Sequence, residues 1–212
     1  MSLVAVIDFE TTGLSPAMGD RATEVAIVLV EGGRVVDRFQ SLMNAGVRIP
    51  SFISSLTGIT DEMLAAAPVA ADAMAAASRF VGNTPMVAHN ASFDRKFWVA
   101  ELERAGICAP QPFVCTLLLS RRLYPQARSH KLGALIDYHR LPRTSTAHRA
   151  LADAEMATYL LGQIRHDLRT RYRVGEPTHG LLMSLQRCAK AALGTFIARH
   201  AVDAQATETS AV

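Results

Sequence analysis

Apolar residues run unbroken from Val4 to Ile7, and then the chain turns acidic, with Asp8 and Glu10 flanking Phe9 ahead of a Thr11-Thr12-Gly13 break. A short apolar run bounded by turn residues predicts a buried strand over residues 3–9. Thr23 to Val30 repeats the pattern, and Glu31-Gly32-Gly33 predicts a tight turn into a third strand from Arg34 to Met43. Three strands joined by short turns predict an antiparallel meander. The period then changes. Pro68 to Val81 is alanine-rich with its proline at the start, which predicts a helix. Pro85 to Ala88 predicts a short buried strand. Asn90 is placed to cap a helix that carries Phe93, Phe97, Trp98 and Leu102 on one face. Phe113 to Cys115 predicts another strand, followed by helices over Thr116–Leu123, Lys131–Tyr138 and Arg149–Leu168. Strands first and strand–helix alternation afterwards predict an α/β fold, a mixed sheet flanked by helices.

Beyond residue 168 the pattern is helical only. Leu181, Leu182, Leu185, Ala189, Ala192, Leu193, Phe196 and Ile197 recur at helical spacing, with Arg187 and Lys190 off the stripe. This predicts one extra C-terminal helix that covers its own core, with docking of a partner as the other use of such a stripe. Residues 201–212 are small and polar and are expected to fray. The expected units are therefore 1–168, a helical extension 169–200 and a tail 201–212.

Composition narrows the picture. Half of the 212 residues are hydrophobic and 19% are charged, enough for a large core and too apolar for wholesale disorder. No apolar run is long enough to span a bilayer, so no membrane partner is expected. Cys108, Cys115 and Cys188 are far apart and form neither a zinc pattern nor a disulfide frame, which suits a reducing cytoplasm. The formal charge of +3 permits a polyanionic partner without requiring one.

The candidate chemistry lies in the acids. Residues two apart on a strand share a face, so Asp8 and Glu10 point together at the strand's C-terminal end, where open sheets tend to hold ligands. Asp94 lies one turn into the helix after a short strand; a favourable helix N-terminal charge, about 0.3–1 kcal/mol, is its plain structural explanation. Asp153 follows His148 by five residues, a rotation of roughly 140° on a helix. The two cannot face one point from mid-helix, so His148 is expected before the helix and Asp153 inside it.

An acid pair on the first strand, an HN-x-x-F-D segment at His89 to Asp94 and an H-x4-D at His148 to Asp153 resemble, in that order, the DEDDh 3′–5′ exonucleases. "LTGITDEML" from Leu56, "SHKLGAL" from Ser129 and "HRALADA" from His148 extend the resemblance over about residues 3–165. It is greatest to proofreading members, the epsilon subunit of bacterial DNA polymerase III and the matching polymerase-embedded domains. Two departures stand outside the catalytic set: Cys115 where the family often has Asp, and Thr57 where some members carry His.

The resemblance implies a ribonuclease-H-like mixed five-stranded sheet, with residues 1–168 as the exonuclease domain. It implies catalytic residues Asp8, Glu10, Asp94, His148 and Asp153, with the four acids holding two Mg²⁺ or Mn²⁺ ions. Asp8 would bridge both ions, Glu10 and Asp153 would complete one shell, Asp94 would serve the other, and His148 would be the general base. Backbone from Thr11, Thr12, Gly13 and Leu14 would meet the terminal nucleotide, with Leu14 wedged on its base. His89 and Asn90 lie beside the site, with core or capping roles equally open. Ser129, His130 and Lys131 would suit either backbone phosphates or a plain exposed helix start. The expected substrate is nucleic acid with a free 3′ end, single-stranded DNA first, and a DNA polymerase subunit is a further expected partner. RNA 3′-end trimming and a non-catalytic polymerase-accessory module are the alternatives.

Overall fold

Strand β1 (Val4–Thr11) lies at the centre of a sheet that has five strands in the computed structural model, which describes residues 3–144 and 149–201. The chain leaves β1 in two directions. On one side β2 (Ala22–Glu31) and β3 (Arg34–Leu42) add antiparallel, turning through Gly32 and Gly33 at φ 60° and 81°. On the other, β4 (Met86–Ala88) and β5 (Phe113–Cys115) add parallel, giving the order β3-β2-β1-β4-β5. The C-terminal ends of β1, β4 and β5 therefore lie at one edge of the sheet.

The helices follow the same logic. Two short ones, α1 (Ser51–Thr57) and α2 (Asp61–Ala65), come after the meander. Next, α3 (Ala70–Val81) and α4 (Ala91–Arg104) cover the face bearing Ala5, Ile7 and Phe9, with Phe97 and Trp98 buried between. On the opposite face α5 (Thr116–Leu123), α6 (Leu132–His139) and α7 (Ala150–Thr170) cover Val4, Val6, Val28 and Val114. Alternation along β1 decides what faces what. The row Val4, Val6, Asp8, Glu10 looks toward α7, and its last two places are carboxylates.

β1 is longer than the expected 3–9. It runs to Thr11 because pairing with β2 continues through a bulge between Glu10 and Thr11, which leaves Thr23 as the extra residue. Bulges re-aim side chains and are frequent beside active sites. α1 and α2 were not expected. Their starts are nonetheless written in the chain: Pro50 precedes α1, and Thr60 Oγ1 accepts from Met63 N at the head of α2. Asn90 precedes α4 as expected but does not cap it through its side chain; it is left-handed, φ 67° and ψ 45°. Asparagine tolerates that conformation better than most residues.

The largest difference is at the C-terminus. The expected single helix is two: α8 (His179–Arg187) and α9 (Leu193–His200), separated by extended backbone at Cys188 and a 3-10 turn over Lys190–Ala192. Neither Gly nor Pro marks the break, so no local signal announces it. Arg122 Nε donates to the Cys188 carbonyl at 2.8 Å and compensates for the interrupted helix. The apolar stripe survives, and Leu182 and Leu185 are buried in the α7-side core. α8 also closes the sheet edge. Gln186 Oε1 accepts from Cys115 N at 2.6 Å, and its Nε2 donates to Phe113 O at 3.1 Å, as a neighbouring strand would. Residues 202–212 of the expected tail lie outside the described residues.

Candidate active site

Asp8 and Glu10 reach the end of β1 on the α7 face, and Asp153 enters the same space from the first turn of α7. One carboxylate oxygen from each of the three lies within 4.8 Å of the others. Opposite Asp8 on β2 stands Ala26, a small residue. Asp94 lies outside that trio but close to it: its charge is the largest single neighbour effect on Asp8. It is 1% exposed, and its Oδ2 has no hydrogen-bond partner among the described residues.

The balance at the site is strongly toward raised carboxyl pKa values. Removal from water, then Asp94, Asp153 and Glu10, push the Asp8 carboxyl well above the usual carboxylate range. Burial and the charges of Asp153 and Glu24 push Glu10 up to about 7, with Arg149 the opposing influence. Burial also raises Asp94, against hydrogen bonds from its own backbone and that of Phe9. Two full charges 4.8 Å apart at an effective dielectric of about 20 repel by roughly 3.5 kcal/mol. Three such pairs approach the entire stability of a typical domain, about 5–15 kcal/mol. Asp8 and Glu10 therefore resist ionising together near neutral pH, and a cation among the oxygens would relieve that repulsion. Oxygen-only donors of this kind suit a hard divalent metal.

A fifth acid was missed by the sequence reading. Glu24 pairs directly with Glu10 across β1 and β2 and is 0% exposed. Its carboxylate accepts from Arg149 Nη2 at 2.8 Å and Nε at 3.2 Å, from Ala150 N at 3.1 Å and from Gln40 Nε2 at 2.7 Å. These bonds fix the start of α7 against β2 and so set where Asp153 stands. The available signal was an acid in the otherwise apolar run Val25 to Val30, on the face shared with Glu10 once the hairpin register is drawn.

The loop after β1 is held closed. Thr11 Oγ1 donates to Gly13 O at 2.6 Å, and Thr12 Oγ1 accepts from Arg21 N at 3.0 Å. Asp20 Oδ2 accepts from Ser15 N at 2.9 Å, and a β-carbon at Gly13 would displace the Asp20 carboxylate from that bond. Leu14, next along, is 78% exposed. His89 is spoken for. Its Nε2 donates to His130 O at 3.0 Å, leaving Nδ1 to accept from Thr116 Oγ1 at 2.9 Å. Burial, with Arg121 nearby, lowers its pKa to about 4, so it stays neutral. His89 braces the end of β4 rather than offering a ring nitrogen outward. His148, the remaining expected site residue, lies outside the described residues.

The chain is similar in sequence and fold to known proteins. Residues 5–161 match the family described as Exonuclease (RNase_T). The "DNA polymerase III PolC-type" of Oceanobacillus iheyensis is 42% identical over 160 residues, 75% of this chain and 11% of that protein. The "3'-5' exonuclease DinG" of Bacillus subtilis is 36% identical over 165 residues, 77% of this chain and 18% of that protein. The chain thus spans less than a fifth of the length of these relatives. Among solved structures, "Exonuclease X in complex with 5' overhanging duplex DNA" superposes with a TM-score of 0.68 at 27% identity, covering 86% of this chain and 99% of that one. The chain belongs to the exonuclease family, as an exonuclease domain with the metal-dependent nuclease fold and homologous to those of DNA polymerase III.

Proposed function

We propose that the chain removes nucleotides stepwise from the 3′ end of DNA, with Asp8, Glu10, Asp94 and Asp153 holding two Mg²⁺ or Mn²⁺ ions. The observation that carries this is the acid cluster itself, three converging carboxylates beside a buried Asp94 oxygen without a partner among the described residues. Four carboxylates match the charge of two divalent ions. Bound there, such ions would acidify water and neutralise charge on a phosphodiester. The direction is supported by the relative named a 3′–5′ exonuclease, and the DNA substrate by the solved complex. A polymerase partner is supported by the PolC relatives.

The chain's own residues supply the rest. The closed loop from Thr11 to Leu14 presents backbone and an exposed leucine to the terminal nucleotide, a surface fixed before substrate arrives. His148 takes a proton from the attacking water through a neutral ring nitrogen, as the H-x4-D spacing implies. Residues 1–168 form the catalytic unit, and 169–200 form an extension that seals its edge. Three widely spaced cysteines suit a cytoplasmic setting.

The test is digestion of 5′-labelled single-stranded DNA, a matched RNA and a circular single strand. The expected result is a ladder shortening from the 3′ end of the DNA, silenced by EDTA and restored by Mg²⁺ or Mn²⁺. Cutting of the circle, or undiminished turnover in EDTA, overturns the reading.

A further inference from the structure

A second pocket opens at the same edge of the sheet as the carboxylates. It has a volume of about 610 Å³, and Asn90, Arg121, Arg128, Ser129 and Lys131 are among its walls. Asn90 joins the end of β4 to α4, Arg121 lies on α5 just beyond β5, and Lys131 stands immediately before α6. Because β1, β4 and β5 are parallel, this places the pocket beside the Asp8 cluster, with Asn90 one helical turn ahead of Asp94.

Its charge is the reverse of the cluster's. Arg121, Arg128 and Lys131 are exposed, and none forms a salt bridge among the described residues; no acid lines the pocket. Three other arginines, by contrast, are tied down: Arg21 to Glu101, Arg149 to Glu24, Arg143 to Asp137. The loop that carries the charges is also rigid. His89 Nε2 donates to His130 O, His130 Nε2 donates to Tyr124 O at 3.1 Å, and Ala127 N donates to the same carbonyl at 3.0 Å. A braced loop that holds three like charges around a polar hollow is organised for a polyanion.

We propose that this pocket holds backbone phosphates of the substrate strand, two to three nucleotides on the 5′ side of its 3′ end, through Arg121, Arg128 and Lys131. The inference rests on the exonuclease reading. With the 3′ terminus among the carboxylates, all remaining strand lies on the 5′ side, and these three cations line a pocket at the same edge of the sheet. Each phosphate contact on a single strand contributes about 0.7 to the salt slope. Three contacts give a slope change of about 2, equivalent to a factor on the order of 100 at 0.1 M salt.

The experiment measures kcat and KM on the thymidylates dT2 and dT12 across a KCl series with Mg²⁺. It compares the unmodified protein, the triple variant Arg121→Gln/Arg128→Gln/Lys131→Gln, and Arg121→Lys/Arg128→Lys. The triple variant should raise KM on dT12 far more than it lowers kcat, flatten the salt slope by about 2, and lose at least tenfold less on dT2. The lysine variant, which keeps the charge, should keep the slope. Equal losses on dT2 and dT12, or an unchanged slope, overturn the phosphate site while the exonuclease reading stands. Absence of turnover by the unmodified protein on both thymidylates overturns the two together.

Discussion

Glu24 and Glu10 face each other across two strands, yet their surroundings are opposite. Glu24 has no solvent and four hydrogen bonds, two from one guanidinium. Glu101, 1% exposed, is treated the same way: Arg21 grips it at 2.8 and 2.9 Å, and Ala22 N and Arg104 add to it. Glu10, one strand over from Glu24, meets carboxylates instead. This chain therefore satisfies buried acids where they serve structure. Leaving Asp8, Glu10 and Asp94 short of compensation destabilises the metal-free fold, and the difference marks which acids belong to chemistry.

The sharpest way to break the contrast is Asp8→Asn, which removes charge from the uncompensated side. Exonuclease activity should fall by on the order of 10³-fold or more, since the change removes a central ligand and its electrostatic contribution. In EDTA the same variant should melt at or above the parent temperature, because repulsion has been relieved. A variant that keeps its rate but melts much lower would make Asp8 structural, like Glu24.

Arg149→Met attacks the other side. Removing one partner of a buried ion pair costs about 3–5 kcal/mol when a charge is left stranded. Gln40 and the Ala150 amide still serve Glu24, so the expectation is about 3 kcal/mol in urea unfolding. Glu10 also loses its one opposing cation, so its pKa should rise further above about 7. Loss of less than about 1 kcal/mol would show that Glu24 is not held as the hydrogen bonds imply.

Acidity gives a third test. The folded Glu10 keeps its proton up to about 7, whereas an unfolded glutamate releases it near 4.5. Between those values the native state binds more protons, so stability falls as pH rises. The contribution is complete below about 4.5 and gone above about 7, and Asp8 and Asp94 shift in the same direction. Metal-free protein should therefore melt lower at pH 8 than at pH 5, by about 5 °C. Mg²⁺ should restore more at pH 8, where the carboxylates no longer compete through protons. A melting temperature in EDTA that climbs across this window would show that Asp8, Glu10 and Asp94 are not short of compensation.

The difference between the two acid environments was only half legible in the sequence. Asp8, Glu10, Asp94 and Asp153 announce themselves because each stands at the end of a strand or the start of a helix, within motifs that match in order. The meander and the α5 boundaries were legible for a related reason: period and turn residues act locally. Glu24 was not, since its meaning depends on the hairpin register and on Arg149, 125 positions away. The same holds for His89, whose HN motif leaves substrate and core roles equally open while its two ring nitrogens serve Thr116 and His130. The C-terminal break at Cys188 depends on Arg122, a tertiary partner that no periodicity reveals.

The smallest expected effect probes how evenly Glu24 is satisfied. Gln40 is exposed on β3 and reaches across to Glu24 Oε1 at 2.7 Å. Gln40→Ala removes one of four hydrogen bonds while Arg149 and Ala150 keep both oxygens engaged. A hydrogen bond to a charged group contributes about 1.5–3 kcal/mol when its loss leaves the charge short, but water can replace an exposed donor. The expectation is therefore about 1 kcal/mol, or roughly 2–4 °C in melting temperature for a chain of this size. Asp153 should stay in place, because the bonds that fix the start of α7 come from Arg149 and Ala150, so metal affinity should shift by less than about threefold. Calorimetric melting and Mn²⁺ titration of the same variant check both halves. A loss near 3 kcal/mol would show that Gln40, Arg149 and Ala150 hold Glu24 cooperatively. A large fall in Mn²⁺ affinity with little change in melting would mean that β3, through Glu24, orders the metal-binding acids themselves.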